Sequence, residues 1–329
     1  MVDDESTSGP RRRKPLWRRV GLAIGVIVVV LVLAVGALYV YPLGSDRLQH
    51  AQARELSFDQ AEQAATTRVD DDTADAQVLP ECRSILRVHP EKAAKAVLML
   101  HGYTSCPKDY TQLAQLFYDR GYNVYAPRET HHGLRDVAES SEVSADGLVA
   151  YADESMDVVA GLGDEVGVIG LSGGSVLATW LAERRTESVA HLLLLSPFYR
   201  PDSSQAPPIA LRPLTVLFGF RLLPDRTVGD TNFTLSGLGQ YLRITANLDD
   251  EPDNPGLRSV AVAWSAVDPY IDQEKAVSIP TGLAEANDLK VATHEFGADA
   301  NLPHNIVAPS TLGARTDEIN QLYLDLYEG

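Results

Sequence analysis

The sequence predicts an α/β protein, a mostly parallel central sheet with helices on both faces. Three observations predict it. Short apolar runs alternate with amphipathic stretches from residue 90 onward, the pattern of buried parallel strands joined by crossover helices. The composition is that of an ordinary globular chain, 45% hydrophobic and 22% charged over 329 residues. Finally, a Gly-x-Ser-x-Gly sequence, Gly170 to Gly174, stands between one such apolar run and a helix-like stretch.

The elements follow in chain order. Ala96–Leu100 reads as a buried strand, Lys108–Arg120 as a helix ended by Gly121, and Asn123–Pro127 as a second strand. Ser144–Leu162 is helical and Val166–Leu171 a strand. Gly173–Arg185 is a helix, and His191–Ser196 and Val260–Trp264 are strands. Lys290–Phe296 is the last strand and Thr311–Tyr327 the last helix. Residues 197–254 break the rhythm: they hold seven of the 19 prolines and apolar clusters such as Leu214–Phe220. A stretch that long is not a bare loop, and its aromatic and aliphatic content speaks against disorder. It reads as a helical insertion capping the carboxyl ends of the strands.

Ahead of this domain, Val20–Tyr41 is 22 residues without a charge. As a helix it spans the roughly 30 Å hydrocarbon core of a bilayer. Arg11, Arg12, Arg13, Lys14, Arg18 and Arg19 precede it, which places the N-terminus in the cytoplasm and the rest outside. A cleaved signal peptide is the rival, with small residues at Val35-Gly36-Ala37, but the apolar run exceeds the usual length of a signal core. The expected organisation is a basic tail (1–19), a transmembrane anchor (20–41), a stalk (42–80) with a helix near residues 47–66, and one domain (81–329). Lys and Arg number 28 against 45 Asp and Glu, so the net charge is −17 and the chain beyond residue 19 carries −20. So acidic a body repels phosphate backbones, which excludes nucleic acid as an expected partner.

The Gly-x-Ser-x-Gly context has a physical reading. A sharp turn from strand to helix needs small residues around the serine, exposes the Ser172 hydroxyl above the sheet, and aims the Gly173 N–H and the helix dipole at a developing oxyanion. On Leu98–Tyr103, Gly170–Gly174 and the order Ser, Asp, His, the chain from about residue 82 resembles the α/β-hydrolase fold family, within its carboxylesterases and monoacylglycerol-lipase-like enzymes. The resemblance implies that the loop His101-Gly102-Tyr103 supplies a second oxyanion donor, the Tyr103 N–H, with Gly102 allowing close approach and His101 bracing the loop. His131 and His132, as sequence neighbours, point apart and no acidic or Cys ligand set surrounds them, which speaks against a metal site; the resemblance implies that His131-His132-Gly133 forms the rim of the acyl pocket.

The acid is expected just past a late strand, where Asp268 follows Val260–Trp264; Asp272 and Asp202 are competitors. The base is expected in the loop after the last strand, where His304 stands; His294 lies within the strand itself. Cys106 follows the oxyanion loop and Cys82 precedes the first strand of the domain; in an oxidising compartment they are expected to form a disulfide, against the alternative of two free thiols. The expected function is a membrane-anchored serine hydrolase of carboxylic esters, acting on lipid, acyl-glycerol or short-chain substrates without metal or organic cofactor. Peptidase, thioesterase or acyltransferase chemistry on the same scaffold, or an inactive binding domain, are the alternatives.

Overall fold

A computed structural model describes residues 16–228, 233–249 and 252–329. It divides into two units, one ending at Pro42 and one running from Leu43 to Gly329. The first holds helix α1, Leu16–Val40, whose stretch Val20–Val40 is long and apolar enough to cross a membrane. No other described helix meets that test.

In the second unit the chain runs through α2 (Asp46–Gln49), α3 (Phe58–Ala74), β1 (Ile85–Arg87) and β2 (Ala93–Leu100). There follow α4 (Thr111–Asp119), β3 (Tyr122–Ala126), α5 (Ala145–Leu162), β4 (Gly163–Leu171) and α6 (Gly173–Arg184). After β5 (His191–Leu195) come α7 (Pro208–Gly219) and α8 (Leu235–Thr245). The chain ends with β6 (Ser259–Ser265), α9 (Gln273–Ala286), β7 (Val291–Phe296), α10 (Pro309–Leu312) and α11 (Thr316–Glu328).

The strands form one sheet in the order β1-β3-β2-β4-β5-β6-β7, parallel throughout except for the antiparallel edge strand β1. Strand alternation sorts the core into two layers. Ala96, Leu98 and Leu100 of β2 pack with α5, α6 and α8, whereas Val97 and Met99 pack with Phe117 of α4 and Tyr323 of α11. Leu192 and Leu194 of β5 likewise face the first layer, Leu193 and Leu195 the second. The α/β-hydrolase architecture expected from the sequence is therefore the observed one. The short strand β1 and helix α9 were not read from the sequence; three residues carry too little periodicity to register.

Residues 42–80 differ from the expected stalk. Residues 43–80 are built into the domain. Leu48, Ala61 and Ala65 are fully buried in the first core layer, and the Trp180 indole N–H donates to the Leu48 carbonyl at 2.7 Å. Two buried carboxylates of α5 hold the segment between the helices: Asp153 accepts from Gln52 N–H at 2.6 Å, and Asp157 from Arg54 N–H at 2.9 Å. Arg185 neutralises both carboxylates from the end of α6. The segment reads as a tether because α3 is polar on most of its surface; Ala61, Ala65 and Asp72 are its buried residues, with Phe58 partly buried against the core.

Among its described residues, the 197–254 insertion carries the helices α7 and α8 between β5 and β6. They pack on each other, and Tyr241 of α8 enters the core against α5 and α6.

Candidate active site

Because all strands but β1 are parallel, the loops after β2, β4, β6 and β7 emerge at one edge, where ligand sites of open α/β sheets lie. Ser172 follows β4 directly and precedes α6. Its backbone has φ 55° and ψ −116°, a left-handed conformation costly for a side-chain-bearing residue. Local bonds hold it there: Ser172 N–H donates to Leu195 carbonyl at 2.8 Å, and Ser175 Oγ–H donates to Gly170 carbonyl at 2.7 Å. A methyl group on Gly174 would collide with the carbonyls of Leu100 and His101, so the close approach of α6 to β2 requires glycine at that position.

From this turn a line of hydrogen bonds runs across the edge. Ser172 Oγ lies 2.7 Å from His304 Nε2, and His304 Nδ1 lies 2.6 Å from Asp268 Oδ2. A carboxylate only accepts, so the Nδ1–H donates to Asp268 and Nε2 is left to accept the Ser172 hydroxyl proton. Asp268, its side chain fully buried, also accepts the Tyr270 N–H at 2.9 Å. The Tyr270 ring stands edge-on to His304 at 5.5 Å between centroids. Of the competing residues, Asp272 caps α9 and pairs with Arg200, Asp202 caps a turn at Ser204, and His294 stands edge-on to Phe296 within β7.

The loop after β2 comes close to the same serine. Gly102 packs so near Ser172 that an added methyl group would lie 3.2 Å from its Cβ. Tyr103 and Gly173 line the space around the Ser172 hydroxyl together with His304. His101 is buried and bonded on both nitrogens: Nε2 accepts from Glu129 N–H at 3.1 Å, and Nδ1–H donates to Gly102 carbonyl at 2.9 Å. Burial, and then neighbouring His132, hold its pKa down at about 3, so the ring is neutral at physiological pH.

His132 makes a second carboxylate–histidine pair, its Nδ1–H donating to Glu129 Oε2 at 2.5 Å. Burial works to raise the Glu129 pKa, but the bond from His132, its charge and the His131 N–H outweigh burial and hold the value down at about 2. Arg128 shapes this loop. Its Nη1 donates to the carbonyls of Glu129, Thr130 and His132, while Nε and Nη2 donate to Asp72 of α3 at 3.0 and 2.8 Å. The former stalk thus holds the wall of the site.

Cys82 and Cys106 are joined, with Cα atoms 5.3 Å apart, as the sequence led one to expect. The bridge fastens the end of the 101–106 loop to the segment before β1. Gly133, at φ 67°, packs against Cys82 where no side chain would fit.

Two spaces open on Ser172. A cavity of about 370 Å³ is walled by Thr104, Lys108, His132, Ser140, Asn305 and Thr311. A smaller crevice of about 50 Å³ is apolar, lined by Phe198 and by Phe233 and Leu238 of the insertion. Both sets of walls include Tyr103, Ser172 and His304. Sequence reasoning missed Glu129, Asp109, Asn305, Tyr270 and Phe233. Only Asn305, next to the expected base, carried a positional signal.

A serine on a strand–turn–helix elbow, joined through histidine to a carboxylate at the carboxyl edge of a parallel sheet, defines the α/β-hydrolase class. Residues 91–286 match the family described as "Serine aminopeptidase, S33", and the chain belongs to it. Comparison with curated protein sequences gives no match. Among solved structures, the chain is similar to a metagenome-derived lipolytic enzyme from work on LipS and LipT (19% identity, TM-score 0.55, 77% of this chain and 99% of that one). It is also similar to a soluble variant of monoglyceride lipase from Saccharomyces cerevisiae (9%, TM-score 0.52, 74% and 91%). A third is Est1E of Butyrivibrio proteoclasticus, solved with ferulic acid (13%, TM-score 0.51, 75% and 96%). At these identities the likeness is one of fold.

Proposed function

We propose that the protein is a serine hydrolase of carboxylic esters. The observation that carries this reading is the hydrogen-bonded line Ser172–His304–Asp268 opening on a cavity. Ser172 Oγ attacks the ester carbonyl carbon while His304 Nε2 takes its proton. The carbonyl π electrons move to oxygen, and the N–H groups of Tyr103 and Gly173 receive that charge, Gly173 with the dipole of α6 behind it. Asp268 holds the imidazole in the tautomer that accepts the proton and offsets its positive charge. The alkoxide leaves with the proton from His304, giving an acyl-enzyme; water, deprotonated by the same ring, then releases the acid and regenerates Ser172.

The apolar crevice favours an acyl chain on the side of the insertion, with lipid, acyl-glycerol or short-chain esters as the substrate class. Helix α1, with its basic N-terminal flank, favours a single-pass anchor with the hydrolase domain outside the cytoplasm. A mature chain that begins near residue 38 would replace the anchor by a cleaved signal.

A second reading, a peptidase, is favoured by the description of the family that residues 91–286 match. One experiment separates them. The full chain in detergent is labelled with a fluorophosphonate probe, then offered p-nitrophenyl esters of increasing acyl length beside aminoacyl-amides and thioesters. Labelling of wild type and not of S172A, with turnover of esters, is the expected result. Labelling with turnover of amides alone would transfer the reading to peptidases, and an unlabelled wild type would end both.

A further inference from the structure

Asp109 lies outside the Ser172–His304–Asp268 line, yet it touches both loops that the line depends on. It sits in a single turn, Pro107–Tyr110, which the Tyr110 hydroxyl fixes to the last carbonyl of β2, that of Leu100, at 2.9 Å. Its carboxylate is buried, and one oxygen, Oδ2, accepts two bonds. The first comes from the hydroxyl of Ser105. The second comes from Nδ2 of Asn305 at 2.8 Å. The other end of the Asn305 amide is also occupied, Oδ1 accepting the N–H groups of Val307 and Ala308 at 3.1 and 3.0 Å.

These contacts fall at telling places. Ser105 closes a turn around Tyr103, since its N–H donates to the Gly102 carbonyl at 3.1 Å. Asn305 is the residue after His304. The Asp109 carboxylate therefore bridges the segment bearing the Tyr103 N–H and the segment bearing the imidazole, through one oxygen. Charge-assisted bonds of this kind are shorter and stronger than neutral ones, and the buried setting strengthens them further. The disulfide secures the same loop from its far side, at Cys106.

We propose that Asp109 is a positioning residue that keeps the oxyanion loop and the histidine loop in register. This rests on the esterase reading above for its consequence in catalysis, but the geometric claim concerns the two loops themselves. Loss of the bridge lets the Tyr103 N–H and the His304 ring move independently. An error of about 1 Å at a reacting centre costs on the order of 100-fold in rate.

The test is a substitution cycle in the full chain. D109A removes both bonds. N305D sets two carboxylates against each other. The pair D109N/N305D reverses the bond: the new Nδ2 at 109 donates to the new carboxylate at 305, and the Ser105 hydroxyl turns from donor to acceptor. With a p-nitrophenyl ester, the expected kcat falls about 10- to 100-fold in D109A and in N305D with KM within about threefold, and D109N/N305D recovers most of the loss. Thermal unfolding checks that each variant is folded, and the N305D and paired variants carry the test if D109A is not. Hydrogen exchange of peptides spanning 101–106 and 303–308 supplies a readout independent of turnover. N305D must speed exchange in both segments together, with slowing again in the paired variant. Exchange that rises in one segment only, or a paired variant no better than N305D, overturns the proposal even if wild type proves inert to every ester. Inert wild type with coupled exchange would instead overturn the esterase reading alone.

Discussion

Two carboxylate–histidine pairs stand at the same edge of the sheet, and they differ in what lies at the far nitrogen. In both, Nδ1 meets a carboxylate oxygen at nearly the same distance, 2.6 Å for His304 on Asp268 and 2.5 Å for His132 on Glu129. Beyond His304 Nε2 stands the Ser172 hydroxyl; His132 Nε2 has no partner among the described residues. The His304 side chain keeps 13% of its surface exposed, that of His132 only 1%. The comparison teaches that a carboxylate–histidine pair is a general device for fixing a ring. The first pair has a hydroxyl at its far nitrogen and the second has none among the described residues; on the proposed reading that third group makes the first pair chemical and leaves the second a brace.

The largest effects should fall on the first pair. H304A is expected to lower kcat by about 10⁴-fold or more, and D268N by about 10³- to 10⁴-fold, as for removal of triad members elsewhere. H132A is expected to stay within about tenfold of wild type. Steady-state hydrolysis of one ester by the three variants decides; equal losses in H304A and H132A would erase the distinction between the pairs.

Next in size is the support of the second pair. D72A leaves the buried Arg128 guanidinium without its carboxylate and should cost about 3 to 5 kcal/mol in denaturant unfolding. A loss within 0.5 kcal/mol, the ordinary scatter of surface substitutions, would restore the picture of residues 42–80 as a mere tether.

The smallest effect concerns pH. The pKa of Glu129 is depressed in the folded state, so its contribution is full above the usual value of about 4.5 and fades as pH falls toward about 2. His101 acts in the same direction by another route. It is held neutral when folded, whereas the unfolded ring takes a proton below about 6.5, so stability declines from there toward about 3. E129Q should therefore lower the melting temperature at pH 7, by a loss of about 1 to 3 kcal/mol, and progressively less toward pH 3. A difference between E129Q and wild type that is constant across that range would show that Glu129 is not held as a carboxylate by His132.

Much of this was legible in the chain. Strand and helix periodicities are local, so β2 to β7 and α4 to α6 could be read within a few residues. The Ser172 elbow was legible because its glycines and its place between strand and helix are contiguous. Positions 268 and 304 were legible from their places just after apolar strands. The burial of α3 was not, because its inward face is one phenylalanine, small alanines and a single aspartate, whose partner Arg128 is 56 residues away. Nor was Glu129 or Asp109, each one acidic residue among 45 until a partner from another loop is beside it.

By itself, then, the sequence determined the layered parallel sheet, the apolar N-terminal helix and the chain order of the serine, aspartate and histidine that the fold brings together, because hydrophobic repeat and turn chemistry act between near neighbours. Only the tertiary structure decided which of eight histidines meets the Ser172 hydroxyl, which is paired with Glu129 in the neighbouring loop, and that the segment after the apolar helix belongs to the core. Those outcomes depend on residues far apart in the chain meeting at one edge of the sheet, and the free energy of such meetings resides in burial and hydrogen bonding that no single segment carries.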